Sequence, residues 1–203
     1  MLQSLIKTYL VTLLKEHGFK KSNITWNRNS VEVTHVINTQ KSRFNEKYYI
    51  RFTLNVGMWM QPVWSIYHNL EIPKFISINN CFPDFRLGEL LYDFSKVRDK
   101  WWLITNVDDV KVVGEELYNA LAQKCIPFLD QFKLMSDVKT FVDKNKVSLC
   151  MFPYSKLCYA ILSHILGDTE TCEQILNEFE VKKMDYWKKD IDGIKSRLKI
   201  PGK

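Results

Sequence analysis

Asn38, Gln40 and Ser42 alternate along one run of the chain, and Arg51, Thr53 and Asn55 alternate along the next. Amide and hydroxyl side chains both donate and accept hydrogen bonds, and a guanidinium adds a rigid cationic fork that matches carboxylates and phosphates. If the two runs pair as strands, the six side chains share one sheet face, which suits recognition rather than bond-breaking. Cations cluster near them. Lys20, Lys21 and Lys41 form a basic rim, and Arg28 and Arg43 join the face as candidate binding residues, with Trp26, Phe44 and Tyr49 in between. Basic side chains contact phosphates and aromatic faces stack on bases, so nucleic acid is the alternative to a protein partner. No RNP, KH or helix-turn-helix signature accompanies them.

The chain offers little catalytic vocabulary. His17, His35, His68 and His164 stand in unrelated contexts, and the sequence lacks H-E-x-x-H, G-x-S-x-G, a phosphate loop and paired dinucleotide glycines. Asp108-Asp109 and Glu115-Glu116 read as helix-start charges rather than acid/base dyads. Cys81, Cys125, Cys150, Cys158 and Cys172 are widely spaced, with no C-x-x-C and no His at metal-ligand spacing. The expectation is five buried free thiols in a reducing compartment, with no metal, no cofactor and no enzymatic activity. An enzyme with an unrecognised, dispersed active site is the remaining alternative.

Charge is unevenly placed. The net +6 of the 203 residues divides into nine Lys/Arg against three Asp/Glu in residues 1–60, twelve against seventeen in 61–180, and eight against three in 181–203. The polar rows therefore lie in a basic third, which predicts an acidic partner. An apolar fraction of 46% with 13% aromatics is ample for a packed core. Lys7, Lys15 and Glu16 interrupt or bound the apolar N-terminus, and nothing approaches the roughly 20 apolar residues of a membrane span, so a cytoplasmic protein is expected.

The elements that must position these residues follow from periodicity. Leu2, Leu5, Ile6, Leu10, Leu13 and Leu14 predict an amphipathic helix from Leu2 to Glu16 or His17, stopped at Gly18. Phe19 to Arg28 reads as a first strand, with Ile24 and Trp26 pointing one way and a turn at Asn29-Ser30. In the next strand Val31, Val33, His35 and Ile37 share one face. Tyr48, Ile50, Phe52, Leu54, Val56 and Met58 form the apolar face of the third, joined by a turn near Phe44–Glu46. Three prolines make Gln61 to Pro83 an irregular, packed excursion with no long helix. Arg86 to Tyr92 and Lys100 to Asn106 read as two more strands linked by a short polar connection. A helix follows from Asp108 towards Cys125 or Phe132, kinked or ended by Pro127, and another spans Ser136 to Lys144 with Ser136 as its cap. Pro153 to Leu166 and Asp168 to Phe179 form a tetratricopeptide-like hairpin, with no second copy. Asp185 to Leu198 closes the chain, with Trp187, Ile191, Ile194 and Leu198 inward and lysines outward. The fold class is α+β: an antiparallel meander of about five strands, an N-terminal helix on one face, and an all-helical C-terminal part. The divisions expected are a sheet domain at 1–135 and a helical extension at 136–203, packed on the same core.

Several short pieces carry a family resemblance. Gly18, Phe19, Lys20 and Lys21 open a segment ending in Trp26 and Arg28. Asn38, Gln40, Lys41 and Ser42 lie on the next strand, and Phe52, Thr53, Asn55 and Gly57 on the third. In this order they resemble a bacterial domain of unknown function catalogued as family 4304, over about residues 1–125. The resemblance implies a fold and no established activity. The expected function is a non-enzymatic bacterial binding protein whose polar, basic sheet face engages a protein partner. Its most specific form is an immunity-type inhibitor or an accessory protein of a toxin or defence locus.

Overall fold

The N-terminal stripe forms a helix, α1, that runs through Leu2–Leu5, a π-helical turn at Ile6–Leu10, and Val11–Glu16. All six of its predicted inward residues are buried. Gly18 ends it at φ +81°, a left-handed conformation that costs little without a Cβ. A computed structural model of the chain describes residues 1–94, 99–181 and 185–200. Residues 95–98 of the predicted polar connection and residues 182–184 of the basic tail lie outside the described residues.

Among the described residues, six strands form one antiparallel sheet. β1 (Lys20–Ser22), β2 (Thr25–Asn29), β3 (Thr34–Lys41) and β4 (Ile50–Trp59) follow one another as a meander. β5 (Asp84–Arg86) and β6 (Trp102–Ile104) both pair with the outer edge of β4, β5 at Asn55–Gly57 and β6 at Ile50–Phe52. The single strand expected over Phe19 to Arg28 is instead a hairpin. Asn23 turns the chain at φ +52°, a conformation asparagine tolerates, and Ile24 sits in the turn rather than beside Trp26. β3 also starts later than expected, leaving Val31 72% exposed. β4 follows the predicted alternation from Ile50 to Met58, but Tyr48 lies before the strand and is exposed. Phe52, Leu54, Val56 and Met58 are fully buried, each worth about 1.5–3 kcal/mol of hydrophobic stabilisation.

The excursion after β4, expected to be irregular with no long helix, contains one short helix, α2 (Gln61–His68). Pro62 occupies its first turn, where the missing N–H has no intrahelical acceptor to lose. Of the strand expected over Arg86 to Tyr92 only Arg86 is extended, as the end of β5. The Glu89 carboxylate accepts from the Arg86 N–H at 2.9 Å, capping a helical turn, α3 (Leu87–Leu91). Helix α4 runs through Val107–Ala120, a π-helical turn at Leu121–Cys125 and Ile126–Leu129, so Pro127 falls in the first turn after the π turn. Helix α5 is Met135–Lys144; Asp137, not Ser136, caps it, accepting from the Lys133 and Leu134 N–H groups at 3.0 and 2.8 Å.

Helices α6 (Pro153–Ile165) and α7 (Thr169–Val181) form the expected hairpin, and α8 (Lys188–Leu198) follows a short 3-10 turn at Asp185–Trp187. The lysine face of α8 is not wholly outward: Lys195 is buried and pairs with Glu180. One hydrophobic core extends from Leu2 to Ile194, taking in α1, the inner sheet face and residues from α4 to α8. A second, smaller cluster of Val36, Trp59, Trp64, Ile76 and Cys81 lies on the other sheet face.

Candidate functional site

Strand register decides which predicted residues meet. Asn38 pairs with Asn55 and Gln40 with Thr53, so the two polar rows do share the outer face of β3 and β4. They are tied into a ladder. Asn55 Nδ2 donates to Gln40 Oε1 at 3.0 Å and to Asn38 Oδ1 at 3.4 Å, and Asn38 Nδ2 donates to Thr25 Oγ1 at 2.8 Å. Amides satisfied by one another hold fixed orientations, which preorganises the face for a partner. Ser42, just past β3, donates its N–H to Arg51 O at 2.9 Å and accepts at Oγ from the Phe44 N–H. Asn45 brackets Arg51, donating to its carbonyl at 2.9 Å and accepting from its N–H at 2.8 Å. The hairpin connection is thereby shaped by side chains as well as by backbone.

The lower half of this face is covered, contrary to a fully open sheet. Asn27 holds the Ile76 backbone from both sides, donating to its carbonyl at 3.0 Å and accepting from its N–H at 2.7 Å. Trp59, Trp64, Ile76 and Cys81 pack over Val36 there. Gly57 is required by that cover: a Cβ would lie 2.6 Å from Cys81 Cβ and 2.8 Å from Ile78 Cδ1. Towards the hairpin tip Gln40 and Arg51 stay exposed and Asn38 and Asn55 partly so, whereas Thr53, expected in the binding row, is fully buried.

At that end lies an open groove of about 510 Å³, with Gln40 to Phe44 on one side and Arg51 and Trp101 on the other. Cations and rings alternate around it. Arg43 lies 5.1 Å from the Phe44 ring, and Arg51 and Arg86 lie 5.6 and 5.4 Å from the Trp101 ring. Phe44 and Tyr48 are strongly exposed. Lys41, Arg43 and Arg51 line the groove, and Asp99, ion-paired with Arg86, accepts from the Trp101 indole N–H at 2.7 Å. The neighbouring Lys100 is already paired with Glu116. Such a site can hold carboxylates or phosphates and cover apolar surface.

The remaining predicted residues are placed elsewhere. Lys20 is on β1, two strands from β3, and Lys21 lies over the Trp26 ring on the helix-covered face. Arg28 is also on that inner face, because it pairs in register with His35. Its guanidinium bonds His35 Nδ1 at 3.1–3.2 Å and Asp130 at 2.7 Å, and lies over the Phe19 ring. His35 Nε2–H donates to Phe132 O at 2.7 Å. Burial, with the Arg28 charge adding to it, pulls the His35 pKa down from 6.5 to about 4, so the ring is neutral there. Arg28 thus joins the sheet to the end of α4 rather than to a partner.

Two groove residues escaped the sequence reading. Trp101 was legible in principle, since Trp102 and Ile104 turn inward and the intervening alternation sends Trp101 and Leu103 the other way. Arg86 carried no local signal; only the pairing of β5 with β4 sets it beside Asn55. The five cysteines are free and buried, and burial pushes Cys125 up to about 12 and Cys150 and Cys172 up to about 11, which makes them poor nucleophiles. Among the described residues no three His, Cys, Asp or Glu side chains gather as metal ligands, and no helix is long and apolar enough to cross a membrane.

A family model with the description "Domain of unknown function (DUF4304)" matches residues 10–131, which span the sheet and every groove residue. No curated protein and no solved structure matches the chain.

Proposed function

This chain belongs to the family described as domain of unknown function DUF4304, and on that premise we propose that it is a non-enzymatic binding protein. Its groove at the hairpin tip takes an acidic segment of a protein partner. The observation that carries this reading is the make-up of the groove. Arg43, Phe44, Arg51 and Trp101, with Tyr48 close by, are the residue types that dominate binding energy at protein interfaces. The cations Lys41, Arg43 and Arg51 lining the groove set the sign of the partner. The satisfied amide ladder beneath them lowers the entropy lost on association.

The test is affinity capture from the native host, with the full chain and a Lys41→Glu/Arg43→Glu variant as parallel baits. A stoichiometric partner, retained by the natural chain, released by salt and lost from the variant, is expected. Identical proteins on both baits would sink the reading. The immunity-type form adds a narrower expectation, that the retained partner is a toxic enzyme inhibited on binding.

The rings interleaved with cations favour a second reading, single-stranded nucleic acid, because sequence-tolerant stacking uses the same pairing. It predicts binding to RNA or DNA that weakens steeply with salt and is lost when Arg43 and Arg51 are reversed in charge.

A further inference from the structure

Two guanidiniums on different strands are set against one indole at the back of the groove. Arg51 and Arg86 place their Cζ atoms 5.6 and 5.4 Å from the Trp101 ring centroid. Register explains the convergence. β6 pairs with Ile50–Phe52 and β5 with Asn55–Gly57, so the residue entering β6 and the last residue of β5 meet beside Thr53.

Asp99 forms an ion pair with Arg86 but stops short of a hydrogen bond to its Nε. One of its oxygens accepts from the Trp101 indole N–H at 2.7 Å, while the other stays 3.7 Å from Arg86 Nε, beyond hydrogen-bond reach. Arg86 Nη1 is buried without an acceptor, and the hydroxyl of the fully buried Thr53 is also without a partner. The Arg86 side chain is nonetheless 27% exposed, so an incoming carboxylate can meet the open part of its fork.

We infer that Arg51, Trp101 and Arg86 form a clamp for one carboxylate of the partner, an Asp or Glu side chain, and that this clamp anchors the interface. The inference rests on the reading of the groove as a site for an acidic protein segment. A carboxylate is planar and takes two parallel N–H bonds from a guanidinium fork, which a slot bounded by a flat indole accommodates. Asp99 shows the same preference from within the chain, since a carboxylate already sits against the indole edge. Arg and Trp are also the residue types most often found as interface anchors.

The experiment uses the full chain labelled with ¹⁵N and reads the Trp101 indole and Arg86 Nε–H resonances. Three probes are titrated: a peptide of alternating Glu and Gly, the same peptide with Gln for Glu, and single-stranded oligothymidine. The Glu peptide is expected to shift both resonances saturably and the Gln peptide to shift neither. Arg86→Lys keeps the charge but loses the fork, and should weaken the Glu peptide roughly tenfold or more; Trp101→Leu should do the same independently. If Arg86→Lys and Trp101→Leu bind as the natural chain does while Arg43→Glu loses binding, the clamp is overturned and the reading of the groove stands. If the Glu peptide fails to bind, or oligothymidine alone moves these resonances, both are overturned.

Discussion

Replacing His35 by Gln should remove a pH dependence of stability that the natural chain carries between neutral and mildly acidic pH. His35 is 2% exposed, bonded through Nε2–H to Phe132 O and accepting at Nδ1 from Arg28. A proton added at Nδ1 would face a guanidinium in a site that water does not reach. Burial first, and the Arg28 charge after it, therefore lower the pKa from 6.5 to about 4, against the opposing pull of the Phe132 carbonyl and Asp130. A histidine with a depressed folded-state pKa binds its proton more readily in the unfolded chain. Its stabilising contribution is complete above about pH 6.5 and is lost as the pH falls towards about 4. Between about pH 7.5 and about pH 5 the unfolded chain gains nearly one proton that the folded chain does not, a linkage of about 2 kcal/mol. Urea unfolding at both pH values, for the natural chain and for His35→Gln, isolates this residue, because every other titrating group is common to the two proteins. The stability gap between them should narrow by about 2 kcal/mol at the lower pH. Parallel loss of stability in the two proteins would refute the buried, neutral ring and the Arg28–His35–Phe132 connection built on it.

Gly57→Ala should destabilise the fold by about 1–3 kcal/mol, because its Cβ meets Cys81 Cβ at 2.6 Å and must push away the segment covering the lower sheet face. Thiol labelling of Cys81, which is 1% exposed in the natural chain, should accelerate in the variant; unchanged labelling would show that the cover tolerates the methyl. Arg197→Ala should cost about 1.5–3 kcal/mol, since its guanidinium caps the C-terminal carbonyls of α2 at Ile66 and Tyr67. Hydrogen exchange should quicken in α2 and α8 together, and an unchanged α2 would separate the two helices energetically.

How far the sequence could be read follows from the range of each interaction. The α1 stripe, its stop at Gly18, the alternation along β4 and the hairpin of α6 and α7 are set by neighbours two to four residues apart, so periodicity alone determined them. The same period of two correctly put Asn38, Gln40, Thr53 and Asn55 on one face, since paired strands keep that alternation in register. Local pattern misread the short elements: Asn23 split one expected strand into two, and the Glu89 cap turned another into a helix. The allocation of faces was beyond it. Arg28 has the same composition-level appeal as Arg51, yet pairing with β3 turns it inward to His35 and Asp130, while pairing with β6 leaves Arg51 at the groove. Arg86 and Trp101 became site residues only because two separate stretches dock on the same edge of β4. The sequence by itself determined that a polar, cationic row exists on a sheet. Tertiary packing decided how much of it is open and which cations reach it, because burial and electrostatics depend on which distant segments share a surface.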